Sequence, residues 1–532
     1  MDISEFLYQY GYSKDFNLAV CEEIKNIPDV IPNEEIKKRK CLFDEKIVTI
    51  DGDDSKDFDD AVSIKKFKNG KFELGVHIAD VSYYVKENSA LDEEAFNRGT
   101  SLYLVDNVVP MLPEKLSNNI CSLNPESPRL TLSCIMKIDS AGNVEKYDIC
   151  ETVIKSSARM TYRKVTEILE GNMSARNKYS GFIDMFENMR ELALILRDKR
   201  MKRGAIDFDF PEPYIVVDEN GKAIDVKIRE MTISNKIIEE FMLLANETIA
   251  KHCSDFNIPC VYRVHEEPEN EKIQRLSSYA GTFGYKLKTK GKATPKQLQK
   301  LLFCSYGNDN QTILSTLILR TMMKARYSEY NLGHFGLAAD YYCHFTSPIR
   351  RYPDLVVHRI LKEWIHGSLD EWRLTHYNRF TVRAAKQSSE TEESVASAEM
   401  DYDKYKLCEY MEDKIGQEFI GFISSVTDFG FFVQLSNTVE GLVGMKDLTD
   451  DYYEFDEDNL LLFGIRTGRI FRIGQKIKVC LSKVNTQLKQ IDFVLSEFTE
   501  NKSDKEVKQK GVKSKKRCKH GKKSRKKKYR SK

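Results

Sequence analysis

The spacing of apolar and polar positions sorts the chain into stretches of different character. Residues 1 to about 40 read as helix and linker, because IPDVIP (Ile27–Pro32) interrupts a helical pattern and EEIKKRK (Glu34–Lys40) is a charged connector. From about 41 to 400, strand-like runs such as FELGVHIA (Phe72–Ala79) and LTLSCIMKI (Leu130–Ile138) alternate with helical ones. NKIIEEFMLLANETIAKH (Asn235–His252) and QTILSTLILRTMMKARYSEY (Gln311–Tyr330) are of the second kind, so one large mixed α+β region is expected. Residues 373–414 read as one long charged helix. After 416 the pattern becomes short, aromatic and glycine-punctuated: FIGFISSV, FGFFVQL, EGLVGM, KIKVCLSKV and IDFVL. Five such runs by 496 predict a five-stranded OB barrel.

Composition adds an asymmetry. The net charge is only +2, yet residues 501–532 hold seventeen Lys and Arg against two acids, a net of +15. The preceding 500 residues carry 66 basic against 79 acidic groups, a net of −13. A tail of this kind, here 497–532, has almost nothing apolar to bury and is expected to be disordered and to bind polyanion without reading sequence. No run of some eighteen apolar residues exists, and the acidic, aromatic N-terminus is unlike a signal peptide. Twelve scattered cysteines without a CxxC pair point to reduced structural thiols, so a cytoplasmic protein without membrane contact is expected.

The chemistry concentrates in TIDGDDSKDFDDAV (Thr49–Val62), where Asp51, Asp57, Asp59 and Asp60 follow a short apolar strand and surround a turn. Two carboxylates 4 Å apart repel by on the order of 4 kcal/mol at an effective dielectric near 20, so a cation is needed among them. Oxygen ligands without nearby histidine or cysteine suit Mg²⁺, with Mn²⁺ as the alternative, and four carboxylates have room for two ions. Such a pair hydrolyses phosphodiesters. An EF-hand is a poor fit, since counting from Asp51 puts Lys56 where glycine belongs and Val62 where glutamate belongs. A solvated acidic turn competes better, though apolar VTI and AVSI bracket the run; Asp53 and Asp54 are its solvated part.

Beyond the aspartates, HIADVSYYV (His77–Val85), VVPMLPEKLSNNICSLNP (Val108–Pro125), EEFMLLAN (Glu239–Asn246), YRVHE and HFTSPIRRYPDLVVHR (His344–Arg359) resemble the catalytic domain of the RNase II/RNase R exoribonucleases over about 45–400. The barrel is similar to the RNA-binding OB domain of the ribosomal protein S-one type, and barrel plus basic tail resembles the RNase R branch. The resemblance implies a processive 3′ to 5′ exoribonuclease that uses Mg²⁺ and releases nucleoside 5′-monophosphates from single-stranded RNA. A catalytically inactive RNA-binding protein is the alternative, and four repelling carboxylates on a polyanion's path speak against it. Asp51, Asp57, Asp59 and Asp60 become the metal ligands, with Asp59 foremost in the chemistry, and Arg350 the residue that holds the scissile phosphate.

The same resemblance makes Tyr103 a base-stacking residue, places Glu399 near the terminal nucleotides and assigns Tyr162 and Glu240 to the ribose, with Glu239 as the other candidate. His77 and His265 are read as structural. In the barrel, Phe429 and Phe432 match aromatic RNA-binding positions and Phe431 is core; a bulge at Gly430 would bring the first two to one face. Gly444 and Asn485 depart from the pattern of such barrels, where histidine and aspartate are common. Two cold-shock-type domains are implied ahead of the catalytic domain, whereas some 40 residues precede it here and resemble the linker. A short form, or a start internal to a longer gene, would account for that. Single-stranded RNA is the expected partner, with ribosome or structured RNA met through the tail, and a monomer the expected state.

Overall fold

FELGVHIA becomes the strand Phe72–Ala79, buried at seven of its eight positions, because both of its faces are covered. In the computed structural model this strand is central in a seven-stranded sheet. The order is Lys40–Cys41, Val144–Lys155, Pro128–Ile138, Phe72–Ala79, Asp60–Lys66, Val48–Asp51, Ala158–Thr161. The inner neighbours pair antiparallel, and the two outermost strands join in parallel. Helices Ile183–Arg203, Ile233–Asp255 and Tyr352–Ile365 pack on the sheet. Leu74, Val76 and Ile78, each fully buried, contribute about 1.5–3 kcal/mol apiece.

The structure describes residues 3–208, 212–287, 292–307, 311–457 and 459–497, in two units. The sheet belongs to the first, residues 1–210 and 230–400. Three short helices, Ile3–Gln9, Leu18–Asn26 and Asn33–Lys38, precede the first strand of the sheet. The 373–414 expectation appears as the helix Glu371–Glu412. Part of the run read as helical around 311–330 behaves differently: the helix stops at Thr321, and Arg326–Ser328 pairs antiparallel with Tyr262–Val264. Cross-strand hydrogen bonds and burial of Tyr327 override the local helical pattern there.

The second unit takes residues 211–229 and 401–532. Strands Glu418–Thr427, Gly430–Leu435, Glu440–Gly444, Gln490–Leu495 and Lys476–Asn485 close into a five-stranded barrel in that order. A three-stranded sheet, Tyr453–Asp456, Leu461–Gly464 and Ile470–Arg472, is inserted before the last two barrel strands. The hairpin Pro213–Val217/Ala223–Ile228 belongs to this unit although the first unit surrounds it in sequence. Lys406 Nζ donates to Gly221 O at 2.5 Å and Ala223 N to Glu409 Oε2 at 2.9 Å, clasping the hairpin to the end of the long helix. The tail from 498 onward lies outside the described residues.

The bulge expected at Gly430 lies elsewhere. The register shift is on the neighbouring strand, between Ile423 and Ser425, and Phe429 falls in the turn before the strand, where alternation does not apply. Gly430 itself has φ +149°, and a Cβ there would lie 2.3 Å from Val443 O, so only glycine fits.

A buried ion cluster ties the first unit together. Asp80, which follows the central strand, caps the short helix Val81–Tyr84 and meets Arg39 Nη1 and Lys362 Nζ, each at 2.7 Å. Glu151 joins both cations at 3.2 Å. Burial would raise the Asp80 carboxyl, but Lys362 and Arg39 overcome it and hold it far below the usual range. Its stabilisation is therefore complete above about pH 4, the pKa of an unfolded aspartate, and is lost as pH falls further. Asp80→Ala, which takes the most deeply buried counter-charge from two buried cations and leaves them Glu151, should cost about 3–5 kcal/mol. Thermal melts of wild type and variant should show that gap at pH 7 and a narrowing gap below pH 4; a constant gap would refute the linkage.

Candidate active site

Strand Val48–Asp51 delivers Asp51 at its end, and strand Asp60–Lys66 begins with Asp60. Between them residues 55–59 follow an irregular path that side chains and backbone from elsewhere hold in place. Ser122 Oγ donates to Lys56 O at 2.7 Å and accepts from Phe58 N at 3.0 Å, while Leu123 N donates to Phe58 O. Ser122 follows a π-helical turn, Lys115–Ile120, a distortion that often marks functional sites. Ala79 N donates to Asp59 O at 2.9 Å, so the central strand fixes the far end of the loop.

The segment SPIRRYPD supplies the opposing charge. Asp354 accepts from Ser347 N at 2.8 Å and grips Arg351 at 2.7 and 3.0 Å, which makes Arg351 structural and tightens the turn. Ile349 N then donates to Asp59 Oδ1 at 2.8 Å, and Arg350 Nε stands 3.7 Å from Asp59 Oδ2. The Asp59 side chain is 6% exposed and that of Arg350 42%, so the guanidinium retains an open side. Ser101 N and Thr100 Oγ1 donate to Arg350 O, tying this turn to the hairpin that carries Tyr103. Tyr103 donates its hydroxyl to Asp57 Oδ2 at 2.8 Å, and its main-chain N–H donates to Glu399 Oε1 at 2.8 Å. Gly99, at φ +66°, lets the long helix pass, since a Cβ would lie 1.9 Å from Thr391 Oγ1.

Asp51, Asp57, Asp59, Asp60, Tyr103, Arg350 and Glu399 are thus linked through one set of neighbouring loops. Burial, followed by repulsion from Asp60 and Asp57, pushes Asp51 up to about 8. Burial likewise lifts Asp60 to about 6 and Asp59 well above the usual range, against the pull of Arg350 on both. Asp51 Oδ2 is buried without a hydrogen-bond partner. Among the described residues no three carboxylate, imidazole or thiol groups form a ready-made metal cage. Mg²⁺ does not require one, as it binds through one or two carboxylates, waters and substrate phosphates. Unsatisfied, mutually repelling oxygens therefore fit a divalent ion.

The other expected residues lie differently. Tyr162 opens the helix Tyr162–Leu169, directly after the strand paired with Asp51, and its carbonyl accepts from Ser234 Oγ. Glu240 is 3% exposed and both its oxygens are taken by Arg200 at 2.6–3.2 Å, whereas the Glu239 side chain is 37% exposed and accepts one bond from Arg200 at 3.2 Å. His77 is neutral, its pKa lowered to about 3 by burial, and bonds Ser133 and Ser63 inside the sheet. His265 Nδ1 accepts from Gly336 N. Asp53 is exposed and pairs with Arg163 at 3.4 Å; Asp54 is exposed. Phe429 is 53% exposed and meets Phe432 edge to face at 6.2 Å, while Phe431 is buried on Phe471.

Sequence reasoning missed Ser122 and Asp354, which lie inside quoted motifs, and Arg159, three residues before Tyr162. Arg159 donates to Asp53 O and Ser55 O, bracing the aspartate loop, and draws the Asp51 pKa down. Small polar and ion-paired residues of this sort carry no periodic signal.

Because the folded chain disfavours the Asp51 charge at neutral pH, Asp51→Asn should stabilise the protein in EDTA by about 1–3 kcal/mol. Mg²⁺ should raise the melting temperature of wild type more than that of the variant. Equal responses to Mg²⁺ would remove Asp51 from the ligand set.

Residues 39–367 match the RNB domain and residues 412–496 the S1 RNA binding domain. Ribonuclease R 1 of Lactococcus lactis is 45% identical over 494 residues, 93% of this chain and 60% of that protein. Ribonuclease R of Aquifex aeolicus is 42% identical over 499 residues, 94% of this chain and 70% of that one. The chain therefore spans about 60–70% of the length of these curated relatives. Mycoplasma genitalium RNase R, solved in complex with ribose methylated single-stranded RNA, shares the fold with a TM-score of 0.88 at 31% identity, covering 93% of this chain and 77% of that one. With an RNB domain over more than half its length and an S1 domain after it, the chain belongs to the ribonuclease R family.

Proposed function

We propose that the protein is a processive 3′ to 5′ hydrolytic exoribonuclease that degrades single-stranded RNA to nucleoside 5′-monophosphates with two divalent ions, Mg²⁺ or Mn²⁺. The observation that carries this reading is the gathering of four carboxylates opposite one open arginine, Arg350, in a chain of this family. Asp51, Asp57, Asp59 and Asp60 would hold the ions, which when bound lower the pKa of the attacking water and neutralise phosphate oxygens. Arg350 holds the scissile phosphate by its planar fork and offsets the charge that grows in the transition state. The Ile349 N–H orients Asp59 toward that arginine. Tyr103, anchored by Asp57 and Glu399, offers its ring to a terminal base, and stacking accepts all four bases.

Binding extends beyond the chemistry. Phe429 and Phe432 are assigned to RNA contact on the barrel, and the basic tail to phosphate, of the substrate or of ribosomal RNA. Tyr162 and the half-exposed Glu239 are assigned to the ribose, with Glu240 the main partner that holds Arg200 in place. Every residue named lies on one chain, so a monomer suffices. All eleven cysteines among the described residues are free thiols, which supports a reducing, cytoplasmic setting. No helix among them is long and apolar enough to cross a membrane.

With 5′-labelled single-stranded RNA, Mg²⁺ should permit stepwise shortening from the 3′ end to a small limit product, and EDTA should stop it. Asp59→Asn should retain binding without release of mononucleotide; Arg350→Ala should lower kcat about 10²–10³-fold, with Arg350→Lys recovering only part. Binding by wild type without mononucleotide release would refute the enzyme.

The two glutamates separate by assay. Glu239→Ala should narrow the preference for RNA over DNA with the fold intact, whereas Glu240→Ala should lower the melting temperature, because buried Arg200 keeps only its weaker bond to Glu239 at 3.2 Å. The reverse pattern would return the ribose contact to Glu240.

A further inference from the structure

In the first unit, the early turns of the helix Glu371–Glu412 carry an aromatic ladder apart from the aspartate site. Trp372, His376 and Phe380 recur every fourth residue, with ring planes 18° and 8° apart and centroids at 6.1 and 5.9 Å. With Thr375, Arg379 and Arg383 they line a groove of about 220 Å³. Trp372 is 69% exposed, an arrangement that contributes little to folding and leaves an indole face open to a ligand. Two acids beside the groove are already engaged, Glu87 by His376 and Arg373, and Glu363 by Arg373. Arg379 and Arg383 are both exposed and form no ion pair among the described residues; Arg383 rests 5.7 Å from the Phe96 ring centre.

We propose that this groove is a second RNA-binding site, which takes nucleotides of a single strand outside the aspartate site. Flat stacked rings suit a base, and uncompensated guanidinium groups on a body of net charge −13 suit phosphate. The two arginines stand one turn apart, about 6 Å along the axis, so they serve successive phosphates of an extended strand. An acidic peptide would match the charge but leave the ring ladder unused. Along the same helix the groove lies about 24–40 Å from Glu399, so a strand several nucleotides long is needed to reach both places. Affinity should therefore rise with strand length, as for two linked sites.

The chain has two tryptophans, and Trp364 is packed against His252 at 4.4 Å, which makes Trp372 the responsive probe. In EDTA, where the proposed hydrolysis cannot occur, polyuridylate should quench the emission of the full chain, and Trp372→Phe should lose that quenching. The pair Arg379→Ala and Arg383→Ala should weaken the quenching transition roughly tenfold and lower its salt slope by about 1.4. No quenching, or an unchanged transition in the arginine variant, would overturn the site. Equal quenching by uridine 5′-monophosphate would overturn it in favour of a free-nucleotide pocket. Quenching by polyglutamate but not by RNA would overturn it in favour of an acidic protein partner. Cleavage of a short oligonucleotide with Mg²⁺ should keep its wild-type rate in every variant; a parallel fall would mean a folding defect and also overturn the assignment.

Discussion

Asp51, Asp59 and Asp60 are held where burial raises each carboxyl above its ordinary range, with repulsion from neighbouring aspartates adding to the rise at Asp51 and Asp59, and one half-exposed arginine stands opposite. Such an arrangement opposes folding, so the surrounding chain has to over-determine it. The sheet does so first, ending one strand at Asp51 and starting its neighbour at Asp60. Ser122 and Ala79 then hold the intervening loop by its backbone, and Ile349 holds Asp59 from about 290 residues away along the chain. Each of these supports acts on backbone or on one oxygen, leaving other carboxylate oxygens unsatisfied.

Comparison with Asp80 shows why burial alone does not mark a site. Asp80 is as deeply buried, yet two cations, a serine hydroxyl and a backbone N–H satisfy it, and its pKa moves the opposite way. The difference lies in the partners. Asp80 is stabilised and joins the strand, the start of the chain and the helix Tyr352–Ile365; the aspartate site is destabilised and ready for charge from a ligand. Arg350 and Arg351 repeat the contrast one residue apart, since Asp354 consumes Arg351 and leaves Arg350 open.

Much of the fold was legible in the order of the residues. Long apolar runs became buried strands, the five aromatic runs closed into a barrel, and the charged segment became one helix, because each pattern repeats over enough residues to be read. The hairpin 213–228 joining the second unit, the strand Arg326–Ser328 and the sheet at 453–472 were not legible. They are short, and distant partners decide them. The misplaced bulge has the same origin: which of two paired strands holds the extra residue is settled by register, not by either strand's composition.

By itself the sequence determined the chemical character of the site. Four such carboxylates within ten residues, 51–60, between apolar strands cannot be neutral toward cations, and their identities are independent of any contact. Tertiary structure alone decided how far each charge is satisfied: that Tyr103 bonds Asp57, that both oxygens of Glu240 are spent on Arg200 while Glu239 gives it one bond and stays partly accessible, and that Arg350 rather than Arg351 faces the aspartates. Charge belongs to the residue and is written in the chain. Availability depends on which partner arrives, and partners come from tens to hundreds of residues away.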